Sequence, residues 1–172
     1  RQWKVLGPFS TTGLDDEVLS GMITPEGAIE PGAITVPWWQ DGAFPGYSHT
    51  APAGSDRMLL VFCHAEANAA PTDFTAVTYG GQPLTQVVER LQNQSSSYSA
   101  TAEIWALNEA GIQAASGSTI VATTSGAAEG RRISSIFYQG VNQADPIGQI
   151  GTDGENANDS QTLTVALSGG EL

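Results

Sequence analysis

A chain of 172 residues in which eighteen Asp plus Glu face six Lys plus Arg has a formal net charge of −12 at pH 7. A surface this acidic repels phosphate backbones and anionic lipid heads, which argues against nucleic-acid and membrane-surface partners. The length suits one domain, or one domain with an ordered extension, and charged residues make up only 14% against roughly 25% in an average soluble domain, the composition of a secreted β protein.

In chain order, the first stretch has its own texture. Residues 1–47 hold Pro8, Pro25, Pro31, Pro37 and Pro45 together with Trp3, Trp38 and Trp39, and show little alternation. They read as an extended N-terminal arm or a partial extra sheet, because Pro-rich extended segments suit sheet edges and lie well along another surface. The chain opens at Arg1 with no basic and apolar leader, so either a signal was removed or this is an excised piece. It has no run of eighteen apolar residues, so no membrane insertion by a helix is expected.

From residue 48 the pattern changes. Short segments that alternate or run apolar, bounded by Gly, Pro, Asn or Ser, predict strands over 57–65, 74–79, 84–91, 100–107, 118–124, 132–138 and 161–167. Seven short strands without long helices predict an all-β fold, an antiparallel β-sandwich of jelly-roll or Ig-like type over 48–172. Gly80 and Gly81, which follow Tyr79, predict a tight hairpin turn, with Pro83 at the start of the next strand. The lone cysteine, Cys63, reads as a small buried hydrophobe and leaves the fold without an internal disulfide. On the strand over 100–107, Glu103, Trp105 and Leu107 share one face, and Trp105 is expected in the core. The stretch 108–115 is helix-like for one or two turns only. Thr162, Leu163, Thr164, Val165, Ala166 and Leu167 alternate like a strand, and the sequence then stops after Gly170, Glu171 and Leu172, as a hairpin cut short would.

Four phrases carry a resemblance. His49-Thr50-Ala51-Pro52-Ala53-Gly54-Ser55-Asp56-Arg57-Met58-Leu59-Leu60-Val61 is followed by Val77-Thr78-Tyr79-Gly80-Gly81-Gln82-Pro83-Leu84-Thr85, by Ala102-Glu103-Ile104-Trp105-Ala106-Leu107 and by Gly140-Val141-Asn142-Gln143-Ala144-Asp145-Pro146-Ile147-Gly148. From residue 48 onward the chain resembles a β-sandwich module of large secreted bacterial surface and adhesin-type proteins. The resemblance implies an extracellular sandwich, one unit of a longer array, with no shared enzyme activity. The opening Trp3-Lys4-Val5-Leu6-Gly7-Pro8-Phe9 resembles the first strand of accessory sandwich domains of secreted carbohydrate-active enzymes.

The motifs that would carry catalysis are missing from the sequence. There is no G-x-S-x-G elbow for a serine nucleophile. His49 sits in a loop and His64 ends an apolar strand, so each has a structural explanation. Cys63 and His64 are strand neighbours and point to opposite faces, which rules out a dyad. Two distant histidines and one cysteine are too few for zinc. Calcium is the more credible cation: Asp153, Glu155, Asn156, Asn158 and Asp159 crowd oxygen ligands into a glycine-containing loop, without the EF-hand spacing. Among eighteen acids no pair is selected for glycoside hydrolysis. Sugar binding without chemistry has a motif of its own, Trp38, Trp39 and Tyr47 beside Gln40 and Asp41, although adjacent tryptophans on a strand face opposite ways.

The reading with most support is therefore a non-enzymatic extracellular structural or adhesive module. Its partners would be copies of itself or adjoining domains of a larger protein, joined by strand or arm exchange into a surface filament or array. A carbohydrate-binding module of a secreted enzyme, with a polysaccharide partner, is the alternative. A stand-alone hydrolase would require a cleft with perturbed carboxylates.

Overall fold

The alternation in the sequence becomes two antiparallel sheets in a computed structural model, which describes residues 34–151 apart from 69, 94–97 and 149. The strands are β1 (Thr35–Ala43), β2 (Gly46–Ser48), β3 (Met58–Ala67), β4 (Phe74–Tyr79), β5 (Gln82–Pro83), β6 (Thr85–Asn93), β7 (Ser99–Asn108), β8 (Thr119–Thr124) and β9 (Gly130–Gln139), with one short helix, α1 (Glu109–Ala114), between β7 and β8. One sheet has the order β1-β9-β3-β7-β6 and the other β2-β8-β4-β5. The all-β sandwich expected from the sequence is thus the fold observed.

The core lies between the sheets. Strand β3 is central to the larger one, and its period of two sends Leu59, Val61, Cys63 and Ala65 inward, each almost wholly buried. They meet Phe74, Val77, Tyr79, Ile120 and Ala122 from the smaller sheet. Burying one such large apolar side chain contributes about 1.5–3 kcal/mol. Trp105 and Leu107 join this core from β7, and Ile133 and Phe137 from β9. Cys63 is a buried free thiol, and burial, helped by the charge of Glu103, pushes its pKa up to about 12.

The turn between β4 and β5 has the conformation that its glycines allow: Gly80 and Gly81 have φ of 51° and 85°, left-handed values that side-chain-bearing residues rarely adopt. Leu84 N–H then donates to the Val77 carbonyl at 2.9 Å. Helix α1 is capped by Asn108, whose side chain accepts from Gly111 N–H at 3.0 Å.

Of residues 1–47, assigned from the sequence to an N-terminal arm or partial extra sheet, 35–43 and 46–47 lie in strands of the two sheets. Trp39, Gln40, Asp41 and Gly42 of β1 pair antiparallel with Ile136, Ser135, Ser134 and Ile133 of β9, and Gly46, Tyr47 and Ser48 of β2 pair with Val121, Ile120 and Thr119 of β8. The sandwich therefore begins ahead of Ser48. The prolines hid this, because Pro37 and Pro45 flank a stretch that ladders along a sheet edge, where a missing donor is tolerated. The expected strand over 161–167 lies outside the described residues.

Candidate functional site

A sandwich of two sheets has two outer faces, and that of the five-stranded sheet is apolar along one end. The alternate residues of β3, Met58, Leu60 and Phe62, point away from the core; Leu60 lies opposite Ile136 of β9, and Phe62 lies opposite Ile104 of β7. Ile104 in turn lies opposite Val88 of β6. Toward the other end the same face turns polar: His64 and Arg132 are opposite each other, and Arg90 and Ala102 continue the row.

Over the apolar end runs an open groove of about 450 Å³ whose walls include Leu60, Val88, Ile104, Tyr138, Ile34 and Ile150. Ile34 and Ile150 remain 63% and 51% exposed, in contrast to the charged outer face a solvated sheet presents. A β-bulge in β6 widens the apolar wall. The pairing shifts between Gln86 and Val88, so two residues of β6 oppose one of β7, and both Val87 and Val88 line the groove. Period-two reading of the sequence puts neighbouring valines on opposite faces, which is why it missed this site.

The proposed sugar-binding residues are separated by the fold. Trp39 stands on the outer face, 54% exposed, with its ring 5.5 Å from that of Phe62. A shallow cleft beside it is lined by Gln40, Ser48, Thr50 and Pro52, and within it Gln40 Nε2 donates to the Ser48 carbonyl at 2.8 Å. Tyr47 is half-buried and its hydroxyl turns inward, 2.5 Å from Ser135 Oγ, which lies 2.6 Å from His49 Nδ1. Its ring occupies the space over Gly42, where any side chain would collide with it. Burial pushes the Tyr47 pKa up to about 12 and lowers that of His49. The spacing of Ser135 and His49 is that of a nucleophile and its base, but Ser135 is wholly buried and His49 4% exposed. A substrate has no path to the serine, and the trio is a polar tie between β2, β9 and the loop after β2. The side chain of Trp38 and the calcium-type residues Asp153, Glu155, Asn156, Asn158 and Asp159 lie outside what the structure describes. Among the described residues no three His, Cys, Asp or Glu side chains converge as metal ligands, and no helix is long and apolar enough to cross a membrane.

One carboxylate sits inside the sandwich. Glu103, 2% exposed, accepts from Phe74 N–H at 2.9 Å, from Trp105 Nε1 at 2.8 Å and from Gln86 Nε2 at 3.0 Å. Burial raises its pKa, the three donors oppose that, and the neighbouring Asp73 carboxyl adds to the rise. A carboxyl that holds its proton more tightly folded than unfolded adds stability below its ordinary pKa of 4.5, and that contribution is lost as pH rises through the folded value. Glu103→Gln should accordingly flatten the stability profile above pH 4.5, as measured by urea unfolding at several pH values. An unchanged profile would mean that Glu103 is not the group that titrates there.

Arg57 and Glu109 form an ion pair that sequence reasoning also missed. The two Arg57 Nε contacts to the carboxylate are 2.9 and 3.2 Å, Nη2 lies 2.5 Å from Oε1, and Arg57 N–H donates to Oε2 at 2.7 Å. Gln143 closes the cluster, its amide donating to the Arg57 carbonyl at 3.1 Å and its oxygen accepting from Glu109 N–H at 3.0 Å. Arg57 and Gln143, 86 positions apart in the chain, thus meet at one end of the sandwich. The signal was present, since Arg57 is one of only six cationic residues and immediately precedes an apolar strand.

No protein-family model, no curated protein and no solved structure matches this chain.

Proposed function

We propose that the chain is an extracellular structural or adhesive module that joins copies of itself or adjoining domains of a larger protein. The observation that carries this reading is the apolar groove on the outer face of the five-stranded sheet, with exposed Ile34 and Ile150 on its walls. Contiguous apolar surface rimmed by polar residues is what interaction sites present. The acidic, Lys-poor composition supports an extracellular setting. Ser135, His49 and Glu103, the residues that come nearest to a catalytic set, are committed to buried hydrogen bonds, which supports a non-enzymatic role.

The test is the assembly state of the full chain by light scattering and negative-stain electron microscopy across a concentration series, beside the full-length variant Val88→Lys. Concentration-dependent oligomers or filaments that the variant loses, with its circular dichroism unchanged, are expected. A chain monomeric at every concentration would overturn self-association.

A second reading has its own observation. The exposed ring of Trp39 beside Gln40, Ser48 and Thr50 offers the flat aromatic surface with polar neighbours that a sugar ring stacks on. Retardation in affinity gels containing polysaccharide, abolished by Trp39→Ala, would establish a carbohydrate-binding module. Equal migration in all gels would eliminate it.

A further inference from the structure

Where the outer face of the five-stranded sheet turns polar it holds a second hollow, a trough of about 510 Å³ over β7. Ala100 and Ala102 lie exposed on its floor. On β3 His64 and Glu66 lie opposite Ala102 and Ala100, and on β6 Arg90 and Gln92 lie opposite the same two alanines. The walls are therefore two strand spacings apart, about 10 Å, above a floor of methyl groups. That width admits one extended chain lying along β7. The walls present both kinds of hydrogen-bonding group, N–H donors on Arg and Gln and acceptor oxygens on Glu and Gln. Arg90 Nη2 donates to Gln92 Oε1 at 3.1 Å, which ties the two side chains of the β6 wall together.

An exposed aromatic ring stands at each end of this path. Tyr98, 57% exposed, lines the trough, and Trp39, 54% exposed, stands beyond Phe62. Trp39 belongs to the cross-strand row of Ile136, Leu60 and Ala106. Ala106 is eight residues from Tyr98 in the sequence and β1 is three strands from β7, so the two rings are separated by about 30 Å on the diagonal.

We propose that this face is a track for a flat, uncharged, linear polysaccharide, which stacks on Trp39 and continues through the trough to Tyr98. The proposal deepens the carbohydrate reading and rests on it. The net charge of −12 disfavours a polyanion. Sugar hydroxyls donate and accept, which matches walls where Gln92 faces Glu66 and Arg90 faces His64 across the floor. A ribbon-like β-1,4-linked chain can lie along an open sheet face, whereas a coiled chain would touch it only at intervals.

Chain length tests the track. By isothermal titration calorimetry on the full chain, cellohexaose or xylohexaose is expected to bind about tenfold more tightly than the disaccharide of the same sugar, because only the longer chain reaches the trough. Ala102→Ile fills the floor with a side chain that suits a strand, and Tyr98→Ala removes the far ring. Each should bring hexasaccharide affinity down to that of the disaccharide, with circular dichroism unchanged, while Trp39→Ala should remove binding of both lengths. Polygalacturonate is expected not to displace the hexasaccharide; displacement by it would overturn the preference for an uncharged chain. Equal affinity for the two lengths, or hexasaccharide binding untouched by both Ala102→Ile and Tyr98→Ala, would overturn the track and leave a Trp39-centred carbohydrate site standing. No binding of either length would sink the track and the carbohydrate reading together.

Discussion

Phe137→Ala should lower the unfolding free energy by about 3–5 kcal/mol, the cost of deleting a large buried aromatic side chain and leaving a cavity. Phe137 has no exposure. It lies on β9 opposite Leu59 of β3, and it bridges the two sheets: its ring meets that of Tyr79 edge-on with centroids 5.8 Å apart and that of His49 at 4.8 Å. Tyr79 belongs to the smaller sheet, and its hydroxyl accepts from Ala51 N–H at 3.2 Å. Removing the phenyl ring therefore loosens both the contact between sheets and the loop that leads into β3. Domains of ordinary stability have about 5–15 kcal/mol in total, so the variant is expected at or near the edge of unfolding at 37 °C. Phe137→Leu keeps most of the volume and should cost less than about 1.5 kcal/mol. Equilibrium denaturation followed by circular dichroism separates the two variants; a loss below about 1 kcal/mol for Phe137→Ala would show that the core closes over the gap.

The second large effect belongs to the Arg57–Glu109 pair. Its side chains are 13% and 12% exposed, and breaking a buried pair leaves the remaining charge without its partner, at a cost of about 3 kcal/mol. Glu109→Ala should cost that much because four further groups depend on it: Arg57 N–H, Gln113, Arg57 Nη1 held at the Pro52 carbonyl, and Gln143 behind them. Hydrogen bonding from Arg57 holds the Glu109 carboxyl at about 2, below its ordinary 4.5. A depressed carboxyl contributes stability above its unfolded pKa and loses it as pH falls through the folded one. The wild type should therefore lose stability steeply between about pH 4.5 and 2, and Glu109→Gln should lose much less over the same range. This window is separate from that of Glu103, which lies above pH 4.5, so the two variants read out different limbs of one pH profile. In a double-mutant cycle, Arg57→Ala and Glu109→Ala are expected to be far from additive; additive losses would mean that the two side chains act independently.

The strands over 58–67, 74–79 and 119–124 were legible because alternation is a local property of the chain. Trp105 and Glu103 were correctly placed on one face for the same reason, and Gly80 and Gly81 announced their turn. The groove was not legible. It depends on Val87 and Val88 sharing a wall, which a bulge permits and simple alternation forbids. Nor was the link between Tyr47, Ser135 and His49, in which residues more than eighty positions apart meet only because β2 and β9 fold toward each other.

By itself, then, the amino-acid sequence determined an acidic all-β chain, its main strands, its hairpin and a buried, inert cysteine, all of which follow from composition and from the two-residue period of a pleated strand. Only the tertiary structure decided which residues share a surface. It drew 35–48 into the sheets, turned Tyr47 inward while leaving Trp39 in solvent, joined Arg57 to Glu109, and opened an apolar groove on the outside of the larger sheet. The physical reason is that register, bulges and long-range pairing set neighbours across strands, and no local pattern contains them.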